Sequence, residues 1–165
     1  MSKAFLRESD FDDVPDRPRA SALLAPGVTN LLTESGAARL RDALRELVEV
    51  ERPPLAAAAA SAADRRSELL ALDQRIRRLR AVLDSAEIVP REGGPPGVVR
   101  FGCGVTLREG TGPAERLRIV GVDEVGDDAE SVSWQAPLAR ALIGDRVRFR
   151  APGGARELEV IAVEP

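Results

Sequence analysis

Histidine and tyrosine are missing altogether, and cysteine, tryptophan and methionine occur once each in 165 residues. The first absence restricts the chemistry most. Ser/His/Asp and Cys/His hydrolase machinery needs an imidazole, and a zinc site needs His or several Cys, so both are excluded. Cys103 alone makes neither an internal disulfide nor a CxxC pair, which fits a reducing cytoplasm. Lysine is nearly absent too: Lys3 is the only one among 24 basic residues, so the many arginines reflect composition as much as phosphate recognition. A strong charge of one sign is also lacking. The net charge of −3 argues against a protein that grips nucleic acid over its whole surface, while local basic faces remain open. No apolar run approaches the roughly 18 residues of a membrane span, and no charged start leads into one. A cytoplasmic protein without membrane contact is expected. With 44% apolar and 31% charged residues the chain should fold, as one ordinary domain or two small ones.

Residues 1–30 mix acids (Glu8, Asp10, Asp12, Asp13, Asp16) with Pro15, Pro18 and Pro26 and show no period. They read as a flexible, acidic, proline-containing arm. Residues 31–89 are helical in pattern. Thr33 is placed as an N-cap, with Glu34 favourable to the helix dipole. Leu40, Leu44, Leu47 and Leu55 then form one apolar stripe, which Pro53 and Pro54 should bend or interrupt. A second stripe, Leu69, Leu72, Ile76, Leu79 and Leu83, keeps a 3-4-3-4 spacing. Its flanks alternate in sign, which sets Asp73 against Arg77 and Arg80 against Asp84 at i,i+4. Neither helix buries its stripe alone, so an antiparallel helical hairpin, a short coiled coil joined near Ala62, is expected.

Residues 90–97 turn to Pro and Gly and read as a linker, after which the period drops from 3.6 to 2. Five short strands are predicted at 98–107, 117–122, 131–134, 147–150 and 158–163, with one helix over 137–143 that has Pro137 at its start and Gly144 at its stop. The fold class is thus α+β: a helical hairpin followed by a small antiparallel sheet domain, 98–165, with one short helix.

Residues of the second half carry a resemblance: Arg100-Phe101-Gly102, Val105-Thr106-Leu107, Arg118-Ile119-Val120-Gly121-Val122-Asp123-Glu124, Ala136-Pro137-Leu138-Ala139-Arg140-Ala141-Leu142-Ile143-Gly144 and Pro152-Gly153-Gly154. With Leu32-Thr33-Glu34-Ser35-Gly36 and Glu51-Arg52-Pro53 they are similar to the bacterial GreA/GreB transcription elongation factors, over roughly residues 31–165. The resemblance implies a hairpin inserted into the secondary channel of RNA polymerase and an FKBP-like domain docked outside it. It implies bacterial RNA polymerase as partner, with contact to nascent RNA or DNA of the elongation complex. In that family tip acids in a Gly-Asp-x-x-Glu-Asn pattern help hold the polymerase's second magnesium, and the polymerase itself cleaves the backtracked RNA, so the factor is no enzyme.

This chain departs from that pattern. Its hairpin is shorter by about six residues per arm, or ~9 Å at ~1.5 Å per residue, and the tip pattern is replaced by Ala62-Ala63-Asp64-Arg65-Arg66-Ser67-Glu68. Asp64 and Glu68 have two readings: N-cap and first-turn acid of the second helix, or tip carboxylates that share a magnesium with the polymerase active site. The chain offers no metal site of its own. Arg65, Arg66, Arg75, Arg77 and Arg78 read either as a basic hairpin face toward RNA or polymerase acids, or as a solvated, salt-bridged face. Trp134, Gln135, Pro137 and Arg140 fall on the segment by which the family docks on polymerase. Val132 and Trp134, alternating on one strand, also read as sheet core, and Pro137 as helix start. The resulting expectation is a polymerase-binding elongation regulator with weak or no stimulation of cleavage. The alternatives are an FKBP-type prolyl isomerase, suggested by fold alone, and an interaction module unrelated to transcription.

Overall fold

A computed structural model of the chain describes residues 24, 27–60, 62–91, 97–126, 130–143, 148–151 and 154–164. Almost all of the acidic arm, most of the 90–97 linker, and Gly144, Pro152 and Gly153 lie outside them.

Strand β1, Asn30–Thr33, runs into helix α1, Glu34–Glu46. Thr33 is the N-cap: its hydroxyl accepts from the Gly36 amide at 2.9 Å, and Glu34 stands in the first turn. The prolines interrupt this helix by a change of register. A π turn, Leu47–Glu51, precedes α2, Arg52–Ala59, so that Pro53 and Pro54 fall in a first turn, where an amide donor is least needed. Helix α3, Ala63–Ser85, returns against both. At about 1.5 Å per residue its 23 residues span about 34 Å. Leu47, Leu72 and Ile76 are buried between the helices, flanked by Leu44, Val48, Leu55 and Leu79. Nearer the sheet, Leu32 and Ala37 meet Val82, with Leu40 and Leu83 beside them. Asp73 reaches across to Arg52 at 2.8 Å instead of along its own helix to Arg77. That hydrogen bond raises the Arg52 guanidinium above its ordinary pKa.

Strand β2, Ala86–Val89, pairs in parallel with β1, a feature without a periodic signature in either segment. The second half holds β3 (Gly104–Glu109), β4 (Ala114–Val120), a 3-10 turn (Val122–Glu124), β5 (Ser131–Ser133), helix α4 (Pro137–Leu142), β6 (Arg148–Ala151) and β7 (Gly154–Glu164). The sheet order is β5-β4-β3-β7-β6. Two expectations need correction. The first strand begins at Gly104 rather than at 98, although Val99 is buried in the core. The sheet is also not antiparallel throughout, because β5 pairs in parallel with β4. Period 2 puts Val105, Leu107 and Ile119 on the covered face against Ala139 and Leu142 of α4. On β3, β4 and β7 the ion pairs Arg108–Glu159, at 2.7 Å, and Arg116–Glu164 form between exposed side chains. A register shift after Thr106 leaves Ile161 between Val160 and Ala162 without an opposite residue, and 45% exposed.

Candidate functional site

Among the described residues, the far end of the helical pair is built from Ala59, Ala60 and residues 62–68. Residue Ala62 stands in the N-cap position of α3, with extended backbone and no side-chain bond. Asp64 is therefore inside the first helical turn, not the N-cap the sequence suggested. An Asp that caps needs non-helical backbone, and the chain becomes helical one residue before it. Glu68 is exposed at the tip, where Arg65 Nη1 donates to its Oε2 at 2.7 Å in a surface ion pair. Among the described residues no group of three or more acidic or thiol side chains is gathered to hold a metal ion.

The arginines of α3 are exposed but do not form one face. At about 100° per residue, Arg66 and Arg77 stand roughly 20° apart, Arg75 and Arg78 roughly 60° apart, and the two pairs about 140° from one another. Arg65 is spent on Glu68. The arrangement is thus two basic flanks on either side of an outer strip with Ser67, Leu70 and Gln74. Leu70 is 62% exposed.

The Trp134-Gln135-Ala136 turn is fixed from both sides. The Trp134 amide donates to the Val120 carbonyl at 2.9 Å, the Gln135 amide to Ser133 Oγ at 3.2 Å, and the Ala136 amide to the Ser133 carbonyl at 2.9 Å. Pro137 then opens α4, the position for which its fixed φ suits it. The structure separates the four residues of this segment. Trp134 packs on the sheet core together with Val132 and is half-buried. Pro137 and Arg140 are exposed, and at i,i+3 they share one face of α4, with Gln135 half-buried at its start.

A junction with no counterpart in the sequence reading joins the two halves. Glu124, at the end of the 3-10 turn, is buried. Its Oε1 accepts from the Thr33 amide at 2.7 Å and from the Gly121 amide at 3.0 Å, and its Oε2 accepts from the Thr33 hydroxyl. Arg39 Nη2 lies 3.9 Å away. Beside them Asn30 Nδ2 donates to Asp123 Oδ2 at 3.2 Å. Two glycines make the approach possible. A Cβ on Gly36 would lie 1.7 Å from Glu124 Oε2, and one on Gly121 would lie 2.2 Å from the Leu31 carbonyl oxygen. Both sides of the junction lie within the motifs that carry the family resemblance, but an acid three residues after Gly121 by itself reads as a turn.

The sequence has known relatives. Residues 94–165 match the family "Transcription elongation factor, GreA/GreB, C-term". The transcription elongation factor GreB of Pseudomonas aeruginosa is 38% identical over 152 residues, an alignment that takes in 82% of this chain and 90% of that protein. Transcription elongation factor GreA of Alkalilimnicola ehrlichii is 35% identical over 150 residues, covering 80% of this chain and 95% of its own length. The crystal structure of GreA factor homolog 1 of Thermus thermophilus, 25% identical, covers 84% of this chain and 100% of its own with a TM-score of 0.37, too low for an argument from shape. The first two alignments extend well beyond the sheet half into the helical pair, and on them the chain belongs to the GreA/GreB family of transcription elongation factors.

Proposed function

We propose that this elongation factor binds bacterial RNA polymerase at its secondary channel, with the helical pair as a hairpin in the channel and the sheet as an FKBP-like domain docked outside. The observation that carries the reading is the tip. The tip carries Asp64 and an exposed Arg65–Glu68 ion pair in place of the Gly-Asp-x-x-Glu-Asn pattern. A tip without that pattern, on a hairpin about six residues shorter per arm, occupies the channel and regulates elongation with little or no stimulation of transcript cleavage. Cleavage chemistry stays with the polymerase, and the factor is not an enzyme. Gln135, Pro137 and Arg140 form the docking corner, supported by the exposure of Pro137 and Arg140 on one face. The two arginine flanks of α3 face acidic polymerase surfaces or the nucleic acid of the elongation complex. The factor works in the cytoplasm, where polymerase is; among the described residues no helix is long and apolar enough to cross a membrane.

A prolyl isomerase finds no support, since the relatives are elongation factors and Trp134 packs on the core rather than walling an open cleft. The test uses core RNA polymerase stalled in a backtracked complex. The wild type should bind it, leave the cleavage rate near its intrinsic value, and slow cleavage by an added GreB through competition. Robust stimulation, lost in Asp64→Ala or Glu68→Ala variants that still bind, would overturn the reading.

A further inference from the structure

In a capping box the N-cap Ser or Thr accepts from the N3 amide, while a Glu or Gln at N3 reaches back to the N-cap amide. Helix α1 has the first half of this device: N-cap Thr33 accepts from Gly36, its N3 residue. It lacks the second half in its own sequence, because Gly36 has no side chain. The missing carboxylate comes from the other half of the molecule. Glu124, 91 positions along the chain, accepts from the Thr33 amide at 2.7 Å, the bond a Glu at position 36 would make. It also takes the space of that side chain, since a Cβ on Gly36 would lie 1.7 Å from Glu124 Oε2 and 2.6 Å from its Cγ.

We propose that Glu124 is the positioning residue of the helical pair, completing the α1 capping box in trans and thereby setting the direction in which the pair leaves the sheet domain. A carboxylate taken out of water costs several kcal/mol unless donors surround it. Here the Glu124 side chain is 0% exposed, and three donors converge on it, from Thr33 N, Thr33 Oγ1 and Gly121 N. Two of the three, the Thr33 amide and hydroxyl, belong to the helical half, so rotation of the pair about the junction would leave the buried carboxylate with the Gly121 amide of its own turn. A flexible tether would tolerate such rotations. The Thr33 hydroxyl is fully committed too: it donates to Glu124, accepts from Gly36, and has Ser35 Oγ 3.2 Å away. The helix start and the interdomain contact therefore share Thr33, and loss of the Glu124 carboxylate weakens both. In a factor whose tip must arrive at a fixed point relative to its docking domain, this unit governs reach.

The test needs no polymerase, so its outcome is separate from that of the channel reading. Spin labels on Ser67→Cys in α3 and Glu115→Cys in β4, both exposed, report the distance between the helical pair and the sheet, with Cys103 buried and out of reach of the label. The expected result is one narrow distance distribution for the otherwise wild-type protein and for Glu124→Gln, which keeps the shape and an amide-accepting oxygen. Glu124→Ala and Gly36→Ala should broaden it severalfold while far-UV circular dichroism and Trp134 fluorescence stay those of a folded protein. Gly36→Ala is independent of the first variant, because it displaces the carboxylate without removing it. The double variant Gly36→Glu, Glu124→Ala returns the carboxylate to the helix's own sequence. It should restore the thermal stability of α1 and leave the distribution broad. A distribution as narrow as wild type in Glu124→Ala or Gly36→Ala, or a narrow one in the double variant, would overturn the proposal.

Discussion

Ile76 is 4% exposed and stands between Leu47 and Leu72 at the centre of the helical pair. Replacing it by alanine removes three carbons, worth about 2.4 kcal/mol of transfer free energy at about 0.8 kcal/mol each. A cavity adds to that. The pair is only two helices thick, however, so Leu44 and Leu79 can move inward and the void partly closes. We therefore expect about 2.5–3.5 kcal/mol, in the lower part of the range for large aliphatic to Ala changes. Leu70, one and a half turns earlier on the same helix, is 62% exposed, and Leu70→Ala should cost less than about 0.5 kcal/mol. Urea denaturation followed by circular dichroism at the helical band measures both against wild type. With a slope of about 1–3 kcal/mol/M, the Ile76→Ala midpoint should fall by about 1–3 M, with the slope unchanged. Equal destabilisation by the two variants would refute the assignment of Ile76 to the seam, and with it the antiparallel packing of α3 on α1 and α2.

Four further outcomes follow from the geometry. Thr33→Val removes a cap and leaves Glu124 Oε2 without its hydroxyl donor, so it should cost at least about 2 kcal/mol, read as a lowered melting temperature. Asp64→Ala removes only a first-turn dipole partner and should cost about 0.3–1 kcal/mol at low ionic strength, less in high salt. Asp73→Asn should lower the urea midpoint at low salt and do so less in molar salt, because Arg52 loses its partner across the seam; an effect insensitive to salt would show that the pair is not electrostatic. Pro137→Ala and Arg140→Ala should weaken capture of the protein by immobilised core RNA polymerase without lowering its melting temperature, and full affinity in both would move the docking corner elsewhere.

The helical stripes, the N-cap at Thr33, the five strands and the start of α4 at Pro137 were all legible in the sequence. Each rests on local geometry: a helix brings i, i+3 and i+4 to one side, a strand alternates, and a cap needs a side-chain oxygen one residue before the helix. The family was legible for a different reason, since its resemblance is carried by short runs of residues read directly from the sequence, and relatives at up to 38% identity bear it out. The arginine positions were legible as exposed but not as two flanks, because a count of charges carries no angle.

Tertiary structure alone decided the parallel pairing of β1 with β2 and of β4 with β5, the crossing of Asp73 to Arg52, and the burial of Glu124. In each case the deciding partner is distant along the chain. A parallel pair has no connecting turn to betray it, and an exposed-looking acid is equally at home in water or in a ring of amides. Gly36 shows the limit most clearly. Its sequence context is an incomplete capping box, and only the folded molecule supplies the missing carboxylate, because hydrogen-bond donors select an acceptor by distance in space and not by separation in sequence.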